Sequence, residues 1–289
     1  MPVPATWRTV RSVVSTVIDE PSNRGEVVRR LLMSVGWQLW KRMMRTPLVL
    51  TLDNGLLFVA DPRSGNSTGA IYTRIYESRY VEFVRRAVVP GGIICDVGAH
   101  VGLFTLLVAP LFRGGYCFEP APDCHELLVR NLALNALGSF RACRQAVSDQ
   151  PGRRTLVAEG DYSGTARLAD AGERAEGSRR AIDVEAVRLD DVLGPDEVIA
   201  FLKIDVEGRE ADVLASARRT LARSPGALVM FEQNGAEGMR ALEVLRDIGF
   251  RPFVVDALGR PATSLAGVER EYNVFACGPE HRLDVPSGT

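Results

Sequence analysis

In "CDVGAHVGLFT", residues 95–105, an acid (Asp96) precedes two glycines, Gly98 and Gly102, four positions apart, at the end of a short apolar run. Gly98 permits a tight turn and Gly102 lets a following helix press close to the strand, so the stretch looks like a strand passing into a ligand-binding loop. A second acid, Glu119, comes twenty-one residues after Gly98 at the end of the next apolar run. A carboxylate at that place can accept hydrogen bonds from both hydroxyls of a ribose. The joint pattern points to an adenosine-containing ligand.

Two classes of such ligand compete. A dinucleotide needs G-x-G-x-x-G, so that bare backbone meets the pyrophosphate, but His100 and Leu103 stand where the other two glycines should be. S-adenosylmethionine (SAM) has no phosphate and tolerates side chains there, and Asp96 in front of the loop suits a cationic ligand. SAM is therefore the expected ligand, and a nicotinamide-dependent oxidoreductase is disfavoured. A methyl group on a sulfonium is already activated, which leaves the protein to align an acceptor oxygen and to supply a base.

The candidate bases are Asp205, which ends "FLKID", its neighbour Glu207, the strand-terminal Glu232 and His100, whose ordinary pKa is nearest neutrality. Asp205, Glu207 and Glu232 could instead hold a divalent cation such as Mg²⁺ on the acceptor's oxygens. Base and metal both stay open at this level. Structural roles compete as well: His100 as a turn residue, Glu207 and Glu210 as favourable charges at a helix N-terminus, and Lys203 as the partner of a nearby acid.

The elements that must position these residues alternate along the chain. Strand-like runs at 93–97, 115–119, 141–147, 198–205, 226–233, 250–256 and 272–277 are separated by helical periodicity at 103–109, 122–135, 209–221 and 236–248. This predicts an α/β fold with a doubly wound, mostly parallel, seven-stranded sheet of the Rossmann-like class. A hairpin is expected through Gly152, and the polar stretch 169–181 is expected to be a mobile surface loop. In such sheets the ligand lies beyond the carboxyl ends of the strands.

Residues 1–70 are expected to form an N-terminal extension, 71–278 the ligand-binding domain and 279–289 a tail. Residues 1–25 have weak periodicity and suggest a loosely held arm or short helix. In residues 26–45, Val28, Leu31, Leu32, Val35, Leu39 and Met43 recur at helical spacing beside Trp37, Trp40 and several basic residues. A basic helix with tryptophans can lie in a membrane interface, but packing such a stripe on a neighbouring domain is the commoner outcome. The run "LVLTLDNGLLFVA" predicts a hairpin about Asp53, Asn54 and Gly55, and Tyr80, Phe83, Val84 and Ala87 share a helical face.

Thirty-five basic and 36 acidic side chains give a formal charge of −1 over 289 residues, so no global field draws the chain to nucleic acid. No basic and aromatic stripe runs along the catalytic region either. The five cysteines contain no C-x-x-C pair and read as reduced core residues, and without a leader-like or spanning segment the default expectation is cytoplasmic, with peripheral membrane contact through 26–45 as the alternative.

"DVGAHVGLFT", "CFEPAPDCHELLVRNLALN", "VRLDDVL", "FLKIDVEGREADVLASA" and a strand ending "MFEQN" together resemble the FkbM-type SAM-dependent methyltransferases over about residues 72–277. The resemblance implies an O-methyltransferase acting on a sugar hydroxyl of a glycan or glycolipid or on a natural product, with a weak SAM-binding or scaffold protein of the same fold as the alternative. It places Asp96, Gly98 and Gly102 on the methionine and ribose side of SAM and Glu119 on the ribose hydroxyls. Pro120 would shape the turn beside the adenine, Ser148 and Asp149 would border that ring, and Asp205 would lie next to the methyl group. His100 occupies a place often held by asparagine.

Overall fold

The computed structural model describes residues 13–159, 166–169, 179–233, 235–256, 259–262 and 272–283. The loop expected at 169–181 and the tail therefore fall largely outside the described residues. The helices are α1 (Val27–Met43), α2 (Gly65–Tyr72), α3 (Ser78–Ala87), α4 (Leu103–Val108), α5 (Pro122–Leu134), α6 (Leu189–Val192), α7 (Glu210–Ser216), α8 (Arg218–Ala222) and α9 (Gly235–Asp247). The strands in chain order are β1 (Leu48–Thr51), β2 (Leu57–Ala60), β3 (Gly92–Val97), β4 (Phe112–Phe118), β5 (Phe140–Cys143), β6 (Ala146–Val147), β7 (Gly152–Glu159), β8 (Arg167–Leu168), β9 (Arg179–Val187), β10 (Ile199–Ile204), β11 (Leu228–Gln233), β12 (Arg251–Val255), β13 (Pro261–Ala262) and β14 (Tyr272–Cys277).

The main sheet has the order β13-β12-β14-β11-β10-β3-β4-β5. Seven of its strands match the expected doubly wound sheet, and the two-residue β13 adds an eighth at the β12 edge. β14 runs antiparallel between β11 and β12, while β5, β4, β3, β10 and β11 are mutually parallel. Chain order reverses between β3 and β10, which opens a crevice at their carboxyl ends, where Gly98 and Asp205 lie.

The strand expected over 141–147 is broken. β5 ends in the main sheet at Cys143, and β6 begins a separate four-stranded sheet, β6-β9-β7-β8. The hairpin expected through Gly152 is not formed, because β6 and β7 both pair with β9 instead of each other. The helix expected over 209–221 is likewise two helices meeting at Ala217.

The N-terminal segment shares the main core. Val17 is fully buried, and Asn23 donates to Val17 O and Tyr72 O and accepts from Arg74 N, which ties residues 13–25 to the body of the protein. The boundary drawn at residue 70 falls inside α2, so it marks no break in packing. The β1-β2 hairpin forms in register about residues 52–56 and is stitched to α5: Asn131 Oδ1 accepts from Val59 N, and Asn135 Oδ1 from Leu57 N. The two asparagines of "RNLALN" thus serve the fold, since each satisfies backbone groups of an edge strand. In "VRLDDVL", Asp190 accepts from the backbone of Arg219 and Thr220 and caps α8 in the same spirit. Four of the cysteines are buried and all five are free.

Candidate active site

A cavity of about 670 Å³ opens at the crevice between β3 and β10. Its floor is the loop after β3. Gly98 N and Ala99 N both donate to Phe118 O at 3.0 Å, and Gly102 N donates to Ala99 O at 2.8 Å. Gly98 and Gly102 both have φ +81°, and a Cβ on Gly98 would lie 1.8 Å from Asp205 O, so only glycine fits against the end of β10. Gly102 begins α4 and lies against Leu128 on α5, away from the cavity lining.

Glu119 stands at the end of β4 in the cavity wall, 7% exposed. One carboxylate oxygen accepts from His100 N at 2.9 Å and the other from Ala121 N at 2.8 Å. Burial pushes its pKa up to about 7, against the opposing pull of these two amides. Each oxygen retains a lone pair for a further donor. Pro120 lines the wall beside it.

The adjoining wall is formed by Gln145, Ala146, Val147, Leu156 and Leu168. Ser148 and Asp149 do not line the cavity: Ser148 N donates to Val187 O, and Asp149 O accepts from Arg188. The break between β5 and β6 moves the lining residues a few positions earlier than an unbroken strand would.

Asp96 is also out of the lining, with no exposed surface. It accepts from Thr105 Oγ1 at 2.5 Å and lies 3.8 Å from Lys203 Nζ, so it positions other groups where the sequence pattern suggested ligand contact. Lys203 Nζ in turn donates to Asp205 Oδ2 at 2.9 Å. Burial opposes the charge on Lys203, but Asp205, Asp96 and Glu77 outweigh it and hold the ammonium firmly protonated. Burial is the main cause that raises the pKa of Asp96, with Asp205 adding to the rise and Lys203 and Thr105 opposing it.

Asp205 and Glu232 both line the cavity, and the Asp205 side chain is 44% exposed. His100 lines it too, but burial lowers its pKa to about 4, which leaves a neutral imidazole at physiological pH. The sequence pattern missed Glu77. This residue precedes α3, lines the cavity and has its pKa pushed up to about 7, chiefly by burial, with Lys203 opposing and Asp205, Asp96 and Glu232 adding to the rise. Its only local signal is conformational: Glu77 (φ 49°), His100 (φ 51°) and Glu207 (φ 54°) are non-glycine residues in the left-handed region, and all three line the cavity. Such strain persists where the surroundings over-determine the backbone, as at a binding site. Glu210, by contrast, accepts from Gly208 N and supports the turn into α7.

Among the described residues, no group of three or more His, Cys, Asp or Glu is arranged to hold a metal ion, so the expectation of a divalent cation on Asp205, Glu207 and Glu232 is not carried further.

Residues 96–252 match the family model described as the Methyltransferase FkbM domain. The chain belongs to the FkbM methyltransferase family. It is 32% identical to the 31-O-demethyl-FK506 methyltransferase FkbM of Streptomyces tacrolimicus, with 57% of this chain and 74% of that protein covered. It is 36% identical to methyltransferase sdnD of Sordaria araneosa over 42% of this chain and 58% of that one. The match thus spans little more than half the length of the Sordaria protein. Among solved structures, methyltransferase FkbM of Methylobacillus flagellatus KT aligns with a TM-score of 0.43 at 12% identity, covering 88% of this chain and 60% of that one.

Proposed function

We propose that this FkbM-family methyltransferase moves a methyl group from SAM to a hydroxyl oxygen of a sugar or natural-product acceptor. The observation that carries the proposal is Glu119: a buried carboxylate at the end of β4, beside the β3/β10 crevice, fixed by two loop amides, with lone pairs left for a pair of ribose hydroxyls. The Gln145, Val147 and Leu156 wall is suited to a flat adenine ring, and Glu77, Asp205 and Glu232 bring the carboxylates a cationic donor needs into a lining that also holds Arg63, Arg167 and Arg209. The oxygen acceptor is supported by the name of the Streptomyces relative, a 31-O-demethyl-FK506 methyltransferase.

SAM, when bound, supplies an electrophilic methyl group. The protein's residues then hold an acceptor oxygen in line with that carbon and receive the hydroxyl proton as the new C–O bond forms and the C–S bond breaks. Asp205 is the proposed base, because its carboxylate reaches the open side of the cavity while Lys203 fixes its orientation. Glu77, half-buried and with a pKa near neutrality, stands beside it as the second acid. Calorimetry tests the cofactor: SAM and S-adenosylhomocysteine should bind and NAD should not. Binding of NAD alone would overturn the proposal.

A further inference from the structure

α1 buries the face opposite to the one its hydrophobic pattern suggests. Arg30, Ser34 and Trp37 face the core, and Trp37 Nε1 donates to Thr68 Oγ1 of α2. Of the apolar stripe only Leu31 packs toward the core, and the rest points outward: Val28 is 72% exposed, Leu32 69%, Val35 58%, Leu39 53% and Met43 77%. Their spacing of four, three, four and four residues keeps them on one side of the helix over about 22 Å. The pattern is regional. Of the fourteen exposed large hydrophobic side chains among the described residues, nine lie between Val14 and Val49.

The charge of this face selects its occupant. Residues 27–45 contain no acid, and their exposed cations are Arg29, Arg42 and Arg45, in a chain whose formal charge is −1. Arg29 and Arg42 flank the stripe on its two sides, and Arg29 pairs with Glu26 across one turn. A second copy of the chain docked through a two-fold axis would bring two such cationic faces together. An anionic bilayer receives the apolar side chains among its acyl chains and the flanking cations among its headgroups. No helix among the described residues is long and apolar enough to cross a membrane, so this mode of contact lies in the interface plane.

We infer that α1 is a peripheral docking surface for anionic lipid, with Val28, Leu32, Val35, Leu39 and Met43 inserted and Arg29 and Arg42 at headgroup level. The opposite face of α1 packs on α2, whose Gly65 and Asn66 line the cavity, so docking sets the cavity one helix layer from the lipid. Trp37 is excluded as an anchor because it is 2% exposed.

The test is flotation of the full chain with phosphatidylcholine vesicles containing about one third phosphatidylglycerol. The protein should float at low salt and at least tenfold less at high salt, because the flanking charges are screened. Replacing Leu32→Ser, Val35→Ser and Leu39→Ser together should leave it in the bottom fraction, with melting temperature and S-adenosylhomocysteine binding unchanged since all three side chains are exposed. Equal recovery with and without vesicles, or a triple variant that floats like the parent, would overturn the inference. So would a parent dimer in size-exclusion chromatography that the triple variant dissolves, which would make a second copy the occupant. Failure here leaves the methyl-transfer proposal untouched, because cofactor binding is read separately.

Discussion

Glu119→Gln keeps the shape of the side chain and replaces one acceptor oxygen by a donor. In the parent, both oxygens accept backbone amides, at 2.9 Å from His100 N and 2.8 Å from Ala121 N. The new NH₂ must face one of those N–H groups, which costs about 1–3 kcal/mol of folding stability. A ribose hydroxyl that donated to the lost oxygen forfeits a charged hydrogen bond, about 1.5–3 kcal/mol, or roughly a ten- to hundredfold rise in Kd. The pH dependence has opposite signs for folding and binding. Because the pKa of Glu119 is raised to about 7 in the folded protein, its stabilising contribution is complete below the ordinary glutamate range and is lost as pH rises through 7. The ionised carboxylate is the better acceptor, so SAM affinity should increase over the same rise. Both trends should shrink in the variant; the remainder comes from Glu77, whose pKa is also about 7, and, for folding, from His100 and His281, whose lowered pKa values act in the opposite sense as pH rises through the ordinary histidine range. Calorimetry with S-adenosylhomocysteine at about pH 6 and pH 8, beside thermal melts, reads all of this. An unchanged Kd at the higher pH in a variant that still melts cooperatively would refute the assignment.

Gly98→Ala should cost more than about 4 kcal/mol in urea unfolding, because its Cβ would lie 1.8 Å from Asp205 O at a positive φ; a loss below about 1 kcal/mol would show that β10 yields easily. Asp205→Asn should lower turnover by about a hundredfold or more while S-adenosylhomocysteine affinity stays within a few-fold, and parallel losses in both would move Asp205 from base to cofactor ligand. Lys203→Met leaves the buried Asp96 without its cation and should destabilise the protein by about 3–5 kcal/mol in denaturant titration. A neutral result would mean that Thr105 alone satisfies Asp96.

Much of this was legible in the residues, and the misses have local causes. The alternation of apolar runs and helical stretches located the strands that carry Gly98, Glu119, Asp205 and Glu232, because each sits at the end of a strong apolar run. The sequence pattern points Asp96 at a ligand, whereas its side chain turns to Thr105 and Lys203. A strand's alternation shows that neighbouring residues face opposite sides without showing which side holds the ligand. The break between β5 and β6 is not marked by glycine or proline, so the sequence points to Ser148 and Asp149 where Gln145, Ala146 and Val147 line the cavity. Glu77 lies twenty-one residues before Gly98, and only the fold brings it to the cavity. In α1 the period was plain, but a helix with Trp37 on one side and leucines on another does not announce which face is buried.

The proposed function rests on the β3/β10 crevice holding SAM by its ribose at Glu119. A crystal structure with S-adenosylhomocysteine tests it most directly. Both ribose hydroxyls should lie within hydrogen-bond distance of the Glu119 carboxylate, with the adenine against Val147 and Leu156 and the sulfur on the side of Glu77 and Asp205. Ligand density elsewhere on the protein, or in the crevice with the ribose turned away from Glu119, would contradict it.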